Sequence, residues 1–415
     1  MNYYPRLDEQ VYRRVLPNGL ALEVVKKPGF AKKQAYFVTD FGSIHTHFRF
    51  EGKEHRVPAG IAHYLEHKMF DLPDGRDVSA EFAALGASSN AFTSYDMTAY
   101  YFSCTDHFEQ CLRLLLEFVS TPYFTEESVE KERGIIDQEI GMNLDAADSV
   151  VFENLARAMY ARHPIREITP ENLTLCHRAF YTPGNMMLCV MGDVDPEAVE
   201  KIARELLGDA PREVGEKIRD WEEPREIPQA EVEDTMEVAM PTFTLAFRCP
   251  PPGRGDQAIR LEFLADLAAE ALFGESSELY LKLYDEGSID SSFGGGFETI
   301  DGCAMLTCGG DSYVPEQVRS AVLAGAEAFS GLSEESFRRM KRSAFGRRVK
   351  GLDSFDATCF RVCAYHFSDF DYFRFPEIYD TIQKEDVTAF LKETVRAENA
   401  CLSVIRPVQG GEESC

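Results

Sequence analysis

The sequence predicts an α+β fold of two similar domains, each a sheet covered by helices. Strand-like and helical segments follow one another in both halves of the 415-residue chain. Two pairs of matching segments also recur at nearly one offset. Thr125-Glu-Glu-Ser128 and Ser333-Glu-Glu-Ser336 each open a helical segment, 208 residues apart, and Asn185 and Asn399 each open a strand-like segment, 214 residues apart. A nearly constant offset indicates an internal repeat.

The elements of the first half follow in order from composition and periodicity. Segments rich in β-branched and aromatic residues predict strands over 20–25, 34–39, 99–103 and 186–191. Apolar residues at helical spacing predict a helix over 108–120. Another helix is predicted over 125–144, because Thr125 is a good N-cap and two Glu follow it in the first turn.

A linker is predicted between the two repeats. The segment from Asp209 to Glu237 is highly charged and contains Pro211, Pro224 and Pro228, a composition typical of exposed linkers. We therefore expect a first domain over 1–215, a linker over 216–236 and a second domain over 237–415.

The composition disfavours several classes of protein. Hydrophobic residues make up 44% of the chain, enough for sizeable cores, and the net charge of -27 opposes binding to the phosphates of nucleic acids. The sequence contains no run of about 18 apolar residues, so no membrane span is predicted. It also has no apolar run at the N-terminus, so no signal peptide is predicted. The 11 Cys include no Cys-x-x-Cys pair, and their odd number, with no predicted export signal, indicates reduced thiols and a cytoplasmic protein. Cys359 and Cys363, four residues apart, are expected to share a helix face as ordinary buried thiols.

The motif His63-Tyr-Leu-Glu-His67 carries the predicted chemistry. His63 and His67 are four residues apart and so share one helix face, where two imidazoles can bind one metal ion. Ile61, Leu65 and Met69 form an apolar stripe on the other side, which packs the helix and leaves both His facing a cleft. The motif therefore predicts a metal site on a helix.

Nearby carboxylates complete a hydrolytic site. Glu66 lies beside the His face, where it can take a proton from a water whose pKa zinc lowers to about 7. A third protein ligand is still required, and Glu132 and Glu139 share one face of the predicted helix 125–144. One of them can bind the metal while the other hydrogen-bonds to a ligand. Pairs of His or Glu alone are common on protein surfaces, but the three features together favour zinc. Manganese and cobalt accept the same ligands, so ligand type alone does not select zinc.

With these residues the sequence resembles the insulinase-like metallopeptidases, an inverted-zincin family that includes pitrilysin and the mitochondrial processing peptidase. The resembling segments are 63–67, 86–94, 132–139, 181–185 and 192–193. Their details look most like a short, cytosolic bacterial branch. The resemblance implies two related domains, each a mostly antiparallel sheet covered by helices, arranged as a half-clamshell in which only the first domain keeps the metal.

The resemblance also implies roles for individual residues. His63, His67 and Glu139 would bind one Zn²⁺ per chain, Glu66 would be the catalytic base, and Glu132 would be a second carboxylate that supports the site.

In the family, a segment matching Asn90 and Ala91 is an edge strand that holds the substrate backbone. This role is physically reasonable because a sheet edge can accept an extended peptide as an added strand. Active members also place an Arg and, seven residues later, a Tyr near the scissile carbonyl. Alignment on Gly287 puts Leu283 and Asp290 at those places, and a shift of one residue does not restore the pair. We therefore expect a homodimer, or a heterodimer with a metal-free homologue that supplies the Arg and the Tyr.

Three hypotheses for function follow. The first is a zinc endopeptidase that cuts peptides or unfolded protein segments. The second is the metal-bearing subunit of a heteromeric processing complex, which needs a homologous partner for activity. The third is a non-catalytic structural subunit, which the complete metal motif disfavours.

Overall fold

The computed structural model describes residues 1–130, 132, 136, 138, 142, 145–159, 169–219, 226–300 and 302–408. The chain forms two compact units, and neither is continuous in sequence. The first unit comprises Met1–Ile136, Pro164–Asp220 and Arg348–Arg374, and the second comprises Asp137–His163, Trp221–Arg347 and Phe375–Cys415. No helix among the described residues is both long and apolar enough to cross a lipid bilayer.

Within the described residues, the first unit is built around a sheet of seven strands. They are β1 (Asn2–Tyr4), β2 (Glu9–Val15), β3 (Ala21–Lys26), β4 (Lys33–Thr39), β7 (Ser88–Thr93), β8 (Thr98–Cys104) and β9 (Met186–Gly192). Their order across the sheet is β1-β2-β3-β9-β4-β8-β7. Neighbouring strands are antiparallel except for β3 and β9, which run parallel. A smaller sheet joins β5 (His47–Phe50), β6 (Lys53–Arg56) and β10 (Glu216–Lys217).

Helices cover both faces of the seven-stranded sheet. They are α1 (Ile61–Lys68), α2 (Val78–Ala84), α3 (Phe108–Ser120), α5 (Pro170–Phe180), α6 (Pro196–Leu207) and α11 (Phe355–Phe367). Ala35 and Phe37 of β4 belong to the large apolar core, whereas the alternating Gln34 and Tyr36 face α11 and hydrogen-bond to Asp356. Because both faces are covered, β9 is buried along its whole length and reads as a continuous apolar run.

The second unit contains a five-stranded sheet. Its strands are β11 (Glu231–Met236), β12 (Thr242–Arg248), β13 (Gly294–Ile300), β14 (Cys303–Asp311) and β15 (Ala400–Pro407), in the order β11-β15-β12-β14-β13. The β11–β15 pair is parallel and the other pairs are antiparallel. The helices of the second half are α7 (Gly255–Phe273), α8 (Glu278–Asp285), α9 (Pro315–Ala328), α10 (Glu334–Lys350), α12 (Phe375–Thr381) and α13 (Lys384–Thr394). Gly295 of β13 is closely packed, since a Cβ there would lie 2.4 Å from the ring of Phe273.

The two sheets repeat one topology. The strands β3-β9-β4-β8-β7 of the first sheet match β11-β15-β12-β14-β13 of the second in order and in the direction of every pair. Helix α4 (Ala147–Met159) packs on β12 and β15, and α11, which begins 208 residues later, packs on the corresponding β4 and β9. The predicted α+β class, with two mostly antiparallel sheets covered by helices, is confirmed.

This exchange of helices was not predicted. Helix α4 comes from the first half of the chain but packs on the sheet of the second unit, and α11 does the reverse. Strands β10 and β11 also fall inside the predicted linker 216–236, so both ends of that segment are paired in sheets. The bounds 1–215 and 237–415 for the two repeated domains stay a prediction.

The helix starts and the thiols agree with expectation. The Thr125 hydroxyl accepts a hydrogen bond from the Ser128 N–H at 3.1 Å, as an N-cap does, and residues 126–130 are helical. Much of the predicted helix 125–144 lies outside the described residues. Cys359 and Cys363 share the face of α11 that meets Cys189 of β9, and the described cysteines form no disulfide.

Candidate metal centre

Helix α1 presents the His pair. It starts after Gly60, whose backbone φ of 83° lies in the left-handed region that favours glycine. Ile61, Leu65 and Met69 are fully buried, as the apolar stripe predicted. They anchor the helix in the core of the first unit and fix its rotation, so His67 on the other side stays partly exposed.

The structure brings His63 and His67 together. Their Nε2 atoms lie 3.2 Å apart, and the rings meet edge to face with centroids 4.8 Å apart. Two nitrogen ligands of a tetrahedral zinc, each about 2.0–2.1 Å from the metal, are about 3.3–3.4 Å apart. The observed separation of the two Nε2 atoms, 3.2 Å, is close to this spacing.

Glu132 sets the orientation of one imidazole. Its Oε1 lies 3.0 Å from Nδ1 of His67, so this nitrogen donates its proton to the carboxylate. The remaining nitrogen, Nε2, then keeps a lone pair directed towards His63. A carboxylate on the outer nitrogen of an imidazole is the usual support for a metal ligand. Of the two roles that the sequence left open for Glu132, this contact fits the hydrogen-bonding one.

The predicted third ligand, Glu139, lies outside the described residues. Among the residues that the structure describes, no group of three or more His, Cys, Asp or Glu side chains has the geometry to hold a metal ion. The described part of the centre therefore supplies two nitrogen donors and a supporting carboxylate.

Glu66 is held from the neighbouring strand β7. Its side chain is buried, and its Oε2 accepts a hydrogen bond of 2.7 Å from the hydroxyl of Thr93. The Thr93 hydroxyl also lies 3.4 Å from that of Thr98, which donates to the carbonyl of Phe41. Glu66 therefore has a fixed position one residue before His67.

Two buried phenols lie near this carboxylate. The hydroxyls of Tyr100 and Tyr181 are 2.8 Å apart. Burial raises the pKa of Tyr100 well above its usual value, and its contact with Tyr181 and the charge of Glu66 act in the same direction. Burial likewise raises the pKa of Tyr181, with a further contribution from Glu66. Both phenols therefore stay protonated and can donate hydrogen bonds near a negative carboxylate.

Asn90 and Ala91 lie on β7, which is the last strand of its sheet in the described part of the chain. The N–H of Ser94 donates to the carbonyl of Met97 across the turn into β8. Along an antiparallel pair, every second residue bonds to the neighbouring strand. Counted from Ser94, Ala91 is a residue whose N–H and C=O point outward, away from β8. The Ala91 N–H donates to the side-chain oxygen of Asn90 at 2.9 Å. The strand thus presents backbone groups to which a further strand can bond.

Sequence reasoning did not assign a role to Thr93. The signal was present in the alternation of β7, because Thr93 is two residues after Ala91 and lies on the same face of the strand. The pattern does not show that Glu66 is the neighbour of Thr93, because the two residues are 27 positions apart and lie on different elements.

The places aligned with the family Arg and Tyr hold other side chains. Leu283 is buried in α8, where it belongs to the apolar packing of the second unit. Asp290 is exposed and accepts hydrogen bonds from the N–H and hydroxyl of Ser292, which lower the pKa of its carboxyl. Neither residue can act as a cationic or phenolic donor.

Comparison with known proteins places the chain in a family. The model of insulinase (peptidase family M16) matches residues 49–170, and that of the peptidase M16 inactive domain matches residues 167–344. The chain is similar to the Bacillus subtilis protein named uncharacterized zinc protease YmfH, with 36% identity covering 97% of this chain and 98% of that protein. It is also similar in structure to an M16-like protein from Alicyclobacillus acidocaldarius, with a TM-score of 0.91 and 31% identity over 96% of this chain and 99% of the other.

A more distant relative matches part of the chain. The Arabidopsis thaliana protein named probable mitochondrial-processing peptidase subunit beta is 29% identical over 46% of this chain and 37% of its own length. The family resemblance seen in the sequence is confirmed by the near-complete matches. The chain belongs to the insulinase family of peptidases, family M16.

Proposed function

We propose that this chain is a zinc-dependent endopeptidase that hydrolyses peptides or unfolded protein segments. The observation that carries the proposal is the pair of Nε2 atoms of His63 and His67, 3.2 Å apart, with a buried carboxylate, Glu66, one residue away. The similarity to a protein named a zinc protease supports it.

The proposed centre holds one Zn²⁺ per chain. His63 and His67 bind it through Nε2, and Glu139 is the third ligand. Glu132 supports the site from outside through Nδ1 of His67, an arrangement that raises the basicity of the bound imidazole. Imidazole and carboxylate ligands with one open position are typical of a hydrolytic zinc site.

When bound, zinc supplies Lewis acidity, which makes water a stronger acid and polarises the scissile carbonyl. Glu66 then acts as the proton carrier. Its Oε2 is held by Thr93, so Oε1 receives the proton of the attacking water and delivers it to the leaving amine. The bond from Thr93 restricts the rotation of the carboxylate, which keeps the proton acceptor in one place during the reaction.

The substrate is proposed to bind along β7. An extended peptide can add to the outer edge of this strand and bond to the outward N–H and C=O of Ala91. Without substrate, the Ala91 N–H donates to the side-chain oxygen of Asn90. When a peptide binds, this N–H would donate to a carbonyl of the peptide instead. Backbone recognition of this kind accepts many sequences, which suits peptides and unfolded segments.

The test is digestion of a mixed peptide pool by zinc-loaded protein, read by mass spectrometry. We expect cleavage by the wild type and a loss of about 10²–10⁴ in rate for Glu66→Gln, since general-base catalysis contributes about that much. Glu109→Gln, the same change at an exposed position of α3, is the matched control and should cleave like the wild type. Equal cleavage by Glu66→Gln would exclude the proposed mechanism.

A second candidate is a metal-bearing subunit that needs a homologous partner. The specific observation is that Leu283 and Asp290 stand at the two places where the family resemblance implies an Arg and a Tyr. A donor at the oxyanion is worth about 3 kcal/mol, so a homologous chain without a metal site would raise cleavage by about a hundredfold on mixing. No increase on mixing, with the chain already active alone, would exclude this candidate. We further propose a cytoplasmic location, in keeping with the reduced thiols of Cys189, Cys359 and Cys363.

A further inference from the structure

Lys68 directly follows the metal-binding His67 and ends helix α1. Its side chain is only 1% exposed. Lysine is almost never buried to this extent unless its ammonium group is paired, because removal of a charge from water is costly. A buried lysine beside the centre therefore calls for an explanation in terms of what it contacts.

The ammonium group of Lys68 contacts oxygens on both sides. It forms an ion pair with Asp71 and donates a hydrogen bond of 3.1 Å to the carbonyl of Ser128. Its Nζ also lies 4.0 Å from Oε2 of Glu132. Ser128 and Glu132 are both in helical conformation, so Lys68 links α1 to this helical part of the chain.

The two oxygens of Glu132 have different neighbours. Oε1 accepts from Nδ1 of His67, and Oε2 faces the ammonium group of Lys68. A cation facing Oε2 opposes rotation of the carboxylate away from His67. The carboxylate in turn selects the tautomer of His67 that leaves Nε2 available for a metal. The three groups form a chain from a buried cation to a metal-binding nitrogen.

We propose that Lys68 is a positioning residue for the metal centre, which acts on His67 through Glu132. This inference rests on the proposed zinc site and adds to it a residue that touches neither metal nor substrate. Without the ammonium group, Glu132 is free to turn towards water, and His67 loses the partner that fixes its ring.

The experiment measures zinc affinity, by competition with a chelator, for Lys68→Met, Glu132→Gln and the double variant. Methionine keeps an unbranched side chain of similar length in the buried site. Groups that orient a metal ligand are worth about 10–100-fold in affinity. We expect each single variant to bind zinc at least tenfold more weakly, and the double variant to bind like Glu132→Gln alone, because both changes break one chain of contacts.

Controls separate this result from loss of structure. Lys53→Met, the same change at an exposed lysine of β6, should bind zinc like the wild type. Unchanged affinity in Lys68→Met would overturn the inference, and so would losses that multiply in the double variant. If Lys68→Met does not fold, Lys68→Gln keeps a donor for the Ser128 carbonyl and tests the charge by the same comparison. A wild type that binds no zinc would instead refute the proposed function.

Discussion

The hydrogen bond from Thr93 to Glu66 offers a sharp test of the proposed mechanism. The substitution Thr93→Val replaces the hydroxyl with a methyl group of nearly the same size, so the packing of β7 is kept. It removes the 2.7 Å bond to Oε2 of Glu66 and the 3.4 Å contact with the hydroxyl of Thr98. Glu66 itself, the His pair and the outer edge of β7 are left intact.

The expected size of the effect follows from the chemistry of this bond. A hydrogen bond to a charged group contributes about 1.5–3 kcal/mol, and each 1.4 kcal/mol changes a rate tenfold. If the bond holds the proton acceptor in place during catalysis, kcat should fall by about 10–150-fold. KM should change little, because Thr93 is proposed to position the base and not to hold the substrate.

The assay is peptide cleavage by zinc-loaded wild type, Thr93→Val and Thr93→Ser. Serine restores the hydroxyl and should recover most of kcat, while all three proteins should bind zinc equally well. Thr93→Val with the kcat of the wild type would refute the positioning role. A loss shared equally by Thr93→Ser would show that packing of the strand matters and not the hydroxyl.

Three further predictions concern the sheet edge, the helix contact and pH. Ala91→Pro removes an outward backbone N–H, so KM for peptides should rise about tenfold with zinc binding unchanged; an unaltered KM in a steady-state assay would argue against strand addition. Tyr64→Phe removes the bond from this phenol to the Val129 carbonyl and should cost about 1 kcal/mol of stability, visible as a lower Tm of the metal-free protein; an unchanged Tm would contradict it. His177 lies 3.1 Å from the carbonyl oxygen of Val119, and burial lowers its pKa from 6.5 to about 4. Between these two pH values the unfolded state therefore binds a proton that the folded state does not. The free energy of unfolding should therefore fall as the pH drops from 6.5 towards 4. Urea unfolding at pH 7.5 and pH 5 measures this fall, which should be about 2 kcal/mol smaller in His177→Gln than in the wild type. An equal fall in both proteins would exclude this linkage.

Local signals in the sequence predicted the local elements well. The helix over 108–120 and the strand over 186–191 match α3 and β9 to within one residue, because each carries an uninterrupted apolar period and a clear start. The positions of His63 and His67 on one helix face followed from spacing alone, since four residues make about one helical turn. The internal repeat also followed from the offset of 208 residues, which the start of α11 relative to α4 reproduces.

Contacts between distant segments could not be read in this way. Helix α11 packs on β4 and β9 although it lies in the other half of the chain, and no periodicity within α11 indicates which sheet it covers. The hydrogen bond between Thr93 and Glu66 depends on the packing of β7 against α1. The burial of Lys68 depends on the packing of α1 against the helical segment that contains Ser128. The role of Glu139 as third ligand stays a prediction from the resemblance.

The proposed sharing of one zinc ion by His63 and His67 can be tested by X-ray diffraction. Crystals of the zinc-loaded protein are used, with data collected on both sides of the zinc absorption edge. We expect an anomalous peak about 2.0–2.1 Å from Nε2 of both His residues, with a carboxylate oxygen of Glu139 as a third contact. Full zinc loading with no anomalous peak between the two imidazoles would contradict it.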